Sequence, residues 1–178
     1  ELNALVSELL NLAKMEQQHD LRCDRFVAEE FAMACIQSLP PMRQELQLGT
    51  IIEPASLVIS GDQRLLARAA QNLLKNAMKY ASKSIHFEVR ASKEGFQIIV
   101  EDDGLGIPES ERNNVFEAFY RLDRSRDRNS GGFGLGLAIV RQIVEMHNGK
   151  VEVGVAKLGG ARFCMCLPHA NVLNNPSD

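Results

Sequence analysis

The stretch Val100-Glu-Asp-Asp-Gly-Leu-Gly-Ile-Pro108 constrains this chain more than any other. The segment leading into it, residues 96–102, has the alternating apolar pattern of a strand and ends in acids. Two glycines follow within four residues, which describes a turn where the backbone approaches something closely. A second alternating segment, residues 85–91, precedes it across Ser92-Lys-Glu-Gly95. The pair reads as a hairpin whose second strand delivers Asp102 to the start of the Gly104-Leu-Gly106 turn.

At 178 residues and 45% apolar content, the chain has material for one full core and a short appendage. A net charge of −3 argues against nucleic acid or an anionic membrane surface as the main partner, so any phosphate binding must be local. No run approaches the roughly 20 apolar residues of a membrane span, and Glu1-Leu-Asn-Ala-Leu5 lacks the basic start of a signal peptide. The chain opens inside a helical pattern without a methionine, which sets the expectation of a piece cut from a longer protein whose remainder holds any membrane anchor. Cys23, Cys35, Cys164 and Cys166 show neither CxxC pairs nor the nearby histidines of a zinc site, and read as structural thiols in a reducing compartment. Cys164 and Cys166 share one face of a strand, with Phe163, Met165 and Leu167 on the other.

Leu2, Leu5, Leu9 and Leu12 recur at spacings of three and four, a heptad seam on a helix over residues 1–17. Such a seam wants a partner helix; the alternative is packing on its own domain. Periodicity is lost over residues 18–24, which read as a linker, and the domain proper spans residues 25–169 before a polar tail at 170–178. Within it the pattern predicts a strand at 22–27, a helix at 28–38 stopped by Pro40-Pro41, and short strands at 48–52 and 56–59. Asp62 is a suitable N-cap for a long helix to about residue 81, with Leu66, Ala69, Ala70, Leu73 and Ala77 as its core stripe. Asn72, Asn76, Lys79 and Tyr80 cluster beside that stripe within about 100° of arc. They form either a ligand wall or a polar shoulder facing water.

Pro108-Glu-Ser-Glu-Arg112 reads as a short helix with proline in its first turn. Residues 116–132 carry Arg121, Arg124, Arg126 and Arg128 interleaved with Asp123 and Asp127, a lid or a disordered loop. Glycines at 132, 134 and 136 then lead into an amphipathic helix over 135–147, with Asn148-Gly149 as its C-cap and His147 as a favourable terminal charge. Strands at 150–156 and 161–167 close the domain around the Gly159-Gly160 turn.

Glycines before a helix N-terminus free backbone N–H groups and add a positive dipole end, which suits phosphate. The stretch is no P-loop, because no Lys-Ser or Lys-Thr follows, and no dinucleotide fingerprint, because a polar loop precedes it. The Ala-Ile-Lys strand and His-Arg-Asp loop of eukaryotic-type kinases are absent. Asp102 can accept from an exocyclic amine, Gly104 and Gly106 let a ring come close, Asn76 offers a hard oxygen to Mg²⁺, and Lys79 with the lid arginines supplies counter-charge. A nucleoside triphosphate satisfies all these features together.

Asn72-Leu-Leu-Lys-Asn-Ala-Met-Lys-Tyr80, Asp102-Asp-Gly-Leu-Gly106, Phe116-Glu-Ala-Phe-Tyr-Arg121 and Gly132-Phe-Gly-Leu-Gly-Leu137 resemble, in order and spacing, the N, G1, F and G2 boxes of bacterial sensor histidine kinases. The arginine-rich lid and the Leu158-Gly-Gly-Ala-Arg-Phe163 ending are most similar to the RstB-type subgroup. The resemblance covers residues 22–168, and residues 1–17 resemble the end of the dimerisation and phosphoacceptor hairpin. It implies an α/β sandwich of the histidine kinase, gyrase, Hsp90 and MutL superfamily (the Bergerat-type fold), a mixed sheet covered on one face by helices. It further implies ATP and Mg²⁺ as cofactors, with Asn76 on the metal, Asp102 on the adenine amine, and Lys79, Tyr80, Arg121 and Arg126 on nucleotide or phosphates. Gly132, Gly134 and Gly136 would hold the phosphate end, and Asn72, Gly104, Gly106, Ile107, Tyr120, Leu135 and Leu137 complete the implied contacts. Implied partners are the hairpin, a second copy of the protein and a response regulator, with the domain on the cytoplasmic side of a bacterial inner membrane and no role for nucleic acid.

One departure within the superfamily discriminates. Its ATP-hydrolysing members carry a glutamate general base four residues before the magnesium asparagine, and here that residue is Asn72. An amide cannot take a proton from water, so transfer to an external acceptor is favoured over hydrolysis. His19, His86, His147 and His169 all lack the His-Glu-x-x-Thr-Pro setting of the family's phosphoacceptor, so the expectation is a chain that binds ATP without phosphorylating itself.

Overall fold

The structure, a computed structural model, describes residues 21–122 and 133–169. The seam helix expected over residues 1–17, most of the linker, Arg124, Arg126, Arg128, Gly132 and the tail at 170–178 lie outside the described residues. Within them the chain forms β1 (Asp24–Val27), α1 (Ala28–Gln37), β2 (Gln47–Glu53), β3 (Val58–Gly61), α2 (Gln63–Tyr80), β4 (Ser84–Ala91) and β5 (Gly95–Asp102). Two 3₁₀ turns, Glu109–Glu111 and Asn114–Phe116, precede α3 (Gly136–Met146), β6 (Lys150–Val155) and β7 (Ala161–Pro168).

β1 and β3 form an antiparallel ribbon, and the other strands make one sheet in the order β2-β4-β5-β7-β6. It is mixed, since β2 runs parallel to β4 and the remaining pairs are antiparallel. Period-two alternation decides which face is buried. Phe87, Val100, Phe163 and Val153 form one cross-strand row, and Val89, Ile98, Met165 and Val151 the next. Against these rows pack Phe31 and Cys35 of α1, Leu66, Ala69, Ala70, Leu73, Leu74 and Ala77 of α2, and Ile139, Val140, Ile143 and Val144 of α3. The opposite face presents Arg90, Gln97, Glu101, Arg162 and the two late cysteines. A mixed sheet with helices on one face is the architecture expected above.

Local chemistry fixes the ends of α2. The Asp62 carboxylate accepts from the Leu65 N–H at 3.1 Å, an N-cap that contributes about 1 kcal/mol. At the other end the Arg43 guanidinium donates to the Ala81 carbonyl at 2.7 Å, satisfying a group that a helix end leaves open.

Two local expectations are corrected. The segment after Pro108 is a single 3₁₀ turn with the proline outside it, rather than a helix with proline in the first turn. His147 is no solvent-facing terminal charge: it is buried, its Nε2 accepts from the Asp62 N–H at 3.0 Å, and its Nδ1 bonds the Ile143 carbonyl at 2.7 Å. An imidazole that accepts at one nitrogen is neutral, and burial holds its pKa below the ordinary value.

Candidate functional site

β5 lies at the centre of the sheet, flanked by β4 and β7, and carries Asp102 to its end. The Asp102 side chain is 4% exposed, and its Oδ1 accepts from the Gly104 N–H at 2.8 Å and the Ala161 N–H at 3.2 Å. Among the described residues both bonds fall on that one oxygen, which leaves Oδ2 as an acceptor for a ligand. Burial pushes the carboxyl pKa up, against the two N–H donors that pull it down. Asp103 fastens the same turn to the segment after α2, accepting from the Ser82 N–H at 2.8 Å and the Lys83 N–H at 3.0 Å. Those bonds, the one from Lys83 first, hold its carboxyl below the usual range.

The turn is pressed against α2. A Cβ on Gly104 would lie 2.4 Å from the Tyr80 carbonyl oxygen, so a side chain there would push the turn off the helix. Asn72, two turns earlier, donates from Nδ2 to the Gly136 carbonyl at 3.3 Å, which brings the start of α3 to the same helix. Asn76, half-buried, lies one turn from each of Asn72 and Tyr80 and hence between these two contacts. Lys79 and Tyr80 are exposed, the Lys79 ammonium 5.1 Å from the Tyr80 ring centre. The first turn of α3 leaves backbone N–H groups unpaired within the helix and carries no acid to compete for them.

The base of the loop between residues 122 and 133 is pinned. Gly134 has φ 74°, and a Cβ there would lie 2.8 Å from the Tyr120 carbonyl oxygen. Phe119, at φ 67°, donates its N–H to the Gly134 carbonyl at 3.0 Å. Both flanks of the loop are thus held together in left-handed conformations that disfavour replacement at Gly134. Tyr120 donates its hydroxyl to Glu111, and Arg141 of α3 reaches Glu117 at 3.0 Å.

The structure therefore brings Asn72, Asn76, Lys79, Tyr80, Asp102, Gly104 and Gly136 together around the C-terminal half of α2, with Gly106 against Gly160 and Gly134 against Tyr120. Ile107, Tyr120 and Leu137 flank this group, half-buried against the core, and Arg121 is exposed at the edge of the loop. Leu135 has its side chain fully buried in the core, which leaves its backbone as the part available to a ligand. Arg126 and Gly132 lie outside the described residues. Gly160 was missed. A Cβ there would lie 2.3 Å from Asp102 Oδ1 and 2.5 Å from the Gly104 nitrogen, so the β6–β7 turn abuts the buried acid. The pattern shows Gly159-Gly160 as a turn but carries no sign of the strand beside it.

Helices on one face of a mixed sheet, with a buried acid, a glycine turn and a helix N-terminus converging on one helix, define an α/β sandwich of the nucleotide-binding class. Residues 61–171 match the family described as histidine kinase-, DNA gyrase B-, and HSP90-like ATPase, and the chain belongs to that family. Among curated relatives it is 37% identical over 172 residues to sensor protein RstB of Escherichia coli K12, and 31% identical over 169 residues to sensor histidine kinase CpxA of the same strain. Each match covers 94% of this chain but only 39% of RstB and 37% of CpxA, so the chain spans under two fifths of either relative. Among solved structures it is similar to full-length ShkA in complex with AMPPNP (TM-score 0.82, 26% identity, 94% of this chain and 35% of ShkA). It is likewise similar to the ATP-binding domain of PrrB from Mycobacterium tuberculosis (TM-score 0.63, 27% identity, 83% of this chain and 97% of that one).

Proposed function

We propose that this chain binds Mg-ATP and donates the γ-phosphoryl group to a histidine on a dimerisation hairpin, for onward transfer to a response regulator. The observation that carries the reading is Asp102, whose one oxygen is saturated by two backbone N–H groups while the other is left to a ligand. A carboxylate so fixed suits an exocyclic amine, and the glycines at 104 and 106 admit the flat face of a base beside it. The phosphate end then falls at Gly134, Gly136 and the N-terminus of α3, whose first-turn N–H groups are unpaired within the helix, and Gly132 joins them by the resemblance alone. The names of the relatives, sensor proteins and a sensor histidine kinase, and the AMPPNP complex of ShkA support it.

Asn76 fits Mg²⁺, a cation that takes few protein oxygens and completes its shell with phosphate and water. Among the described residues no cluster of three or more histidines, cysteines or acids competes for that role. ATP supplies the transferable phosphoryl group, and the metal offsets its charge. Lys79, Tyr80, Arg121 and Arg126 contact nucleotide or phosphates in this reading, neutralising charge that builds up during transfer. Asn72 is tied by its amide to Gly136 and has no basic oxygen with which to activate water, which favours an external acceptor over hydrolysis. His147, buried and bonded at both nitrogens, is unsuited as that acceptor.

By the same reading residues 1–17 end the hairpin, 18–24 link it to the catalytic domain at 25–169, and the whole protein is a dimer with this domain on the cytoplasmic side of a membrane. No helix among the described residues is long and apolar enough to cross one. Mixing the chain with its phosphoacceptor hairpin and γ-labelled ATP is expected to label a histidine; nucleotide binding without that label would reduce the chain to a regulatory module. Asn76→Ala is expected to abolish Mg²⁺-dependent ATP binding by calorimetry while thermal unfolding is preserved, and unchanged affinity would place the metal elsewhere. Arg121→Ala is expected to slow transfer more than it weakens binding, because a group at a loop edge matters most when charge shifts.

A further inference from the structure

The open face of the sheet holds two thiols that the nucleotide reading does not use. Cys164 and Cys166 stand two residues apart on β7, both free, with their Sγ atoms 3.6 Å from each other. Cα atoms two residues apart in a strand are separated by about 6.6 Å, so these side chains lean together. Cys164 is 2% exposed, and burial, then the neighbouring Cys166, push its thiol up to about 12. Cys166 is half-buried and lines a groove of about 460 Å³ with Lys93, Gln97, Asn148, Lys150 and Pro168. Gln97 donates from Nε2 to its sulfur at 3.4 Å, and Lys150 stands opposite it on β6. One sulfur is therefore open to an incoming reagent and the second waits behind it.

The separation puts the two sulfurs in contact, within reach of a single bridging centre. A disulfide needs about 2.05 Å, a closure of about 1.5 Å within a strand bonded on both sides. A pyramidal centre that binds two sulfurs at about 2.3 Å and about 100° spaces them about 3.5 Å apart, a span that the 3.6 Å contact accommodates. A linear centre with the same bonds needs about 4.6 Å, an opening of about 1 Å. No cluster of three or more histidines, cysteines or acids lies among the described residues, so an ion that demands three or four protein ligands is not served.

We propose that Cys164 and Cys166 form a two-thiol binding site for a bent thiophilic centre of the trivalent arsenic class. With an arsenoxide, R–As=O, two As–S bonds form and the As–O bond breaks, and the oxygen leaves as water with both thiol protons. Nothing is oxidised or reduced. Addition begins at Cys166, from the groove, and closes on Cys164, whose proton departs with that water and need not ionise beforehand.

Phenylarsine oxide added to the 178-residue chain tests the site. Intact mass is expected to show one arsenical per chain, and the adduct should protect Cys164 and Cys166, but not Cys23, from alkylation of the urea-unfolded chain, in which an untreated sample is alkylated at all three. Cys166→Ser and Cys164→Ser should each raise the half-saturating concentration about 100-fold, the loss expected when a chelate becomes a single bond. Cys164→Ala serves as a second variant at the buried position, with melting temperatures compared to confirm the fold. Capture that survives loss of either thiol, or an adduct that leaves Cys164 open to alkylation, would overturn the proposal.

Discussion

At Gly160 a methyl group would have nowhere to go, because its nearest neighbours are the Asp102 carboxylate and the Gly104 backbone nitrogen, neither of which is a flexible tip. Gly160→Ala is therefore expected to cut ATP affinity at least about tenfold by displacing the acid, with the circular dichroism of the domain unchanged. Asp102→Asn is expected to lose about 10- to 100-fold, since an amide cannot offer two full acceptors and a charge-assisted bond is worth about 1.5–3 kcal/mol; calorimetry reads both. Legibility at this scale followed sequence distance. Asp102, Gly104 and Gly106 announce themselves because one short segment holds an apolar run, acids and glycines, and Asn76 does so through its helical spacing from Asn72 and Tyr80. Gly160 does not, for its contact joins strands whose bonded residues are 59 positions apart. Leu135 sits among glycines that the pattern assigns to a ligand, while its own side chain turns into the core and leaves its backbone to that role.

Among elements, the pairing of α2 with α3 decides most. Asn72 joins them at one end and His147 at the other, so the two helices are bracketed by hydrogen bonds about 15 Å apart along α2. His147 binds its proton less readily in the folded chain than in the unfolded one, where its pKa is near 6.5. The unfolded state thus gains protons first on acidification. The contribution of His147 is fully present above about pH 6.5 and is lost as pH falls from there through the lowered folded value. Urea unfolding at pH 7.5 and 5.5 checks this: His147→Ala should cost about 1–3 kcal/mol at the higher pH, by leaving the Asp62 N–H unpaired, and should flatten the dependence between the two. Periodicity found α2, α3 and the β4–β5 hairpin because each repeats its signal over several turns or alternations. Three-residue 3₁₀ turns repeat nothing, and Pro108 fits the position before such a turn as well as the first turn of a helix.

For the whole molecule, every buried apolar residue among those described lies between Ala28 and Leu167. A chain cut to residues 21–169 is expected to unfold in one cooperative transition by scanning calorimetry, within about 3 °C of the full chain. A second transition, or a larger fall, would show that the seam at residues 1–17 belongs to this core. The sandwich itself was legible, through the order of alternating and helical segments and the resemblance they carry. The strand order was not, because nothing local says that β7 enters beside β5 rather than at the edge. That insertion has a consequence for how the protein is made. The acid leaves the ribosome before Ala161, which clasps it and emerges 59 residues later, a wait of several seconds at about 5–20 residues per second. Until then the nascent chain has no finished seat for adenine, so ATP joins as a late passenger and cannot serve as a template for folding.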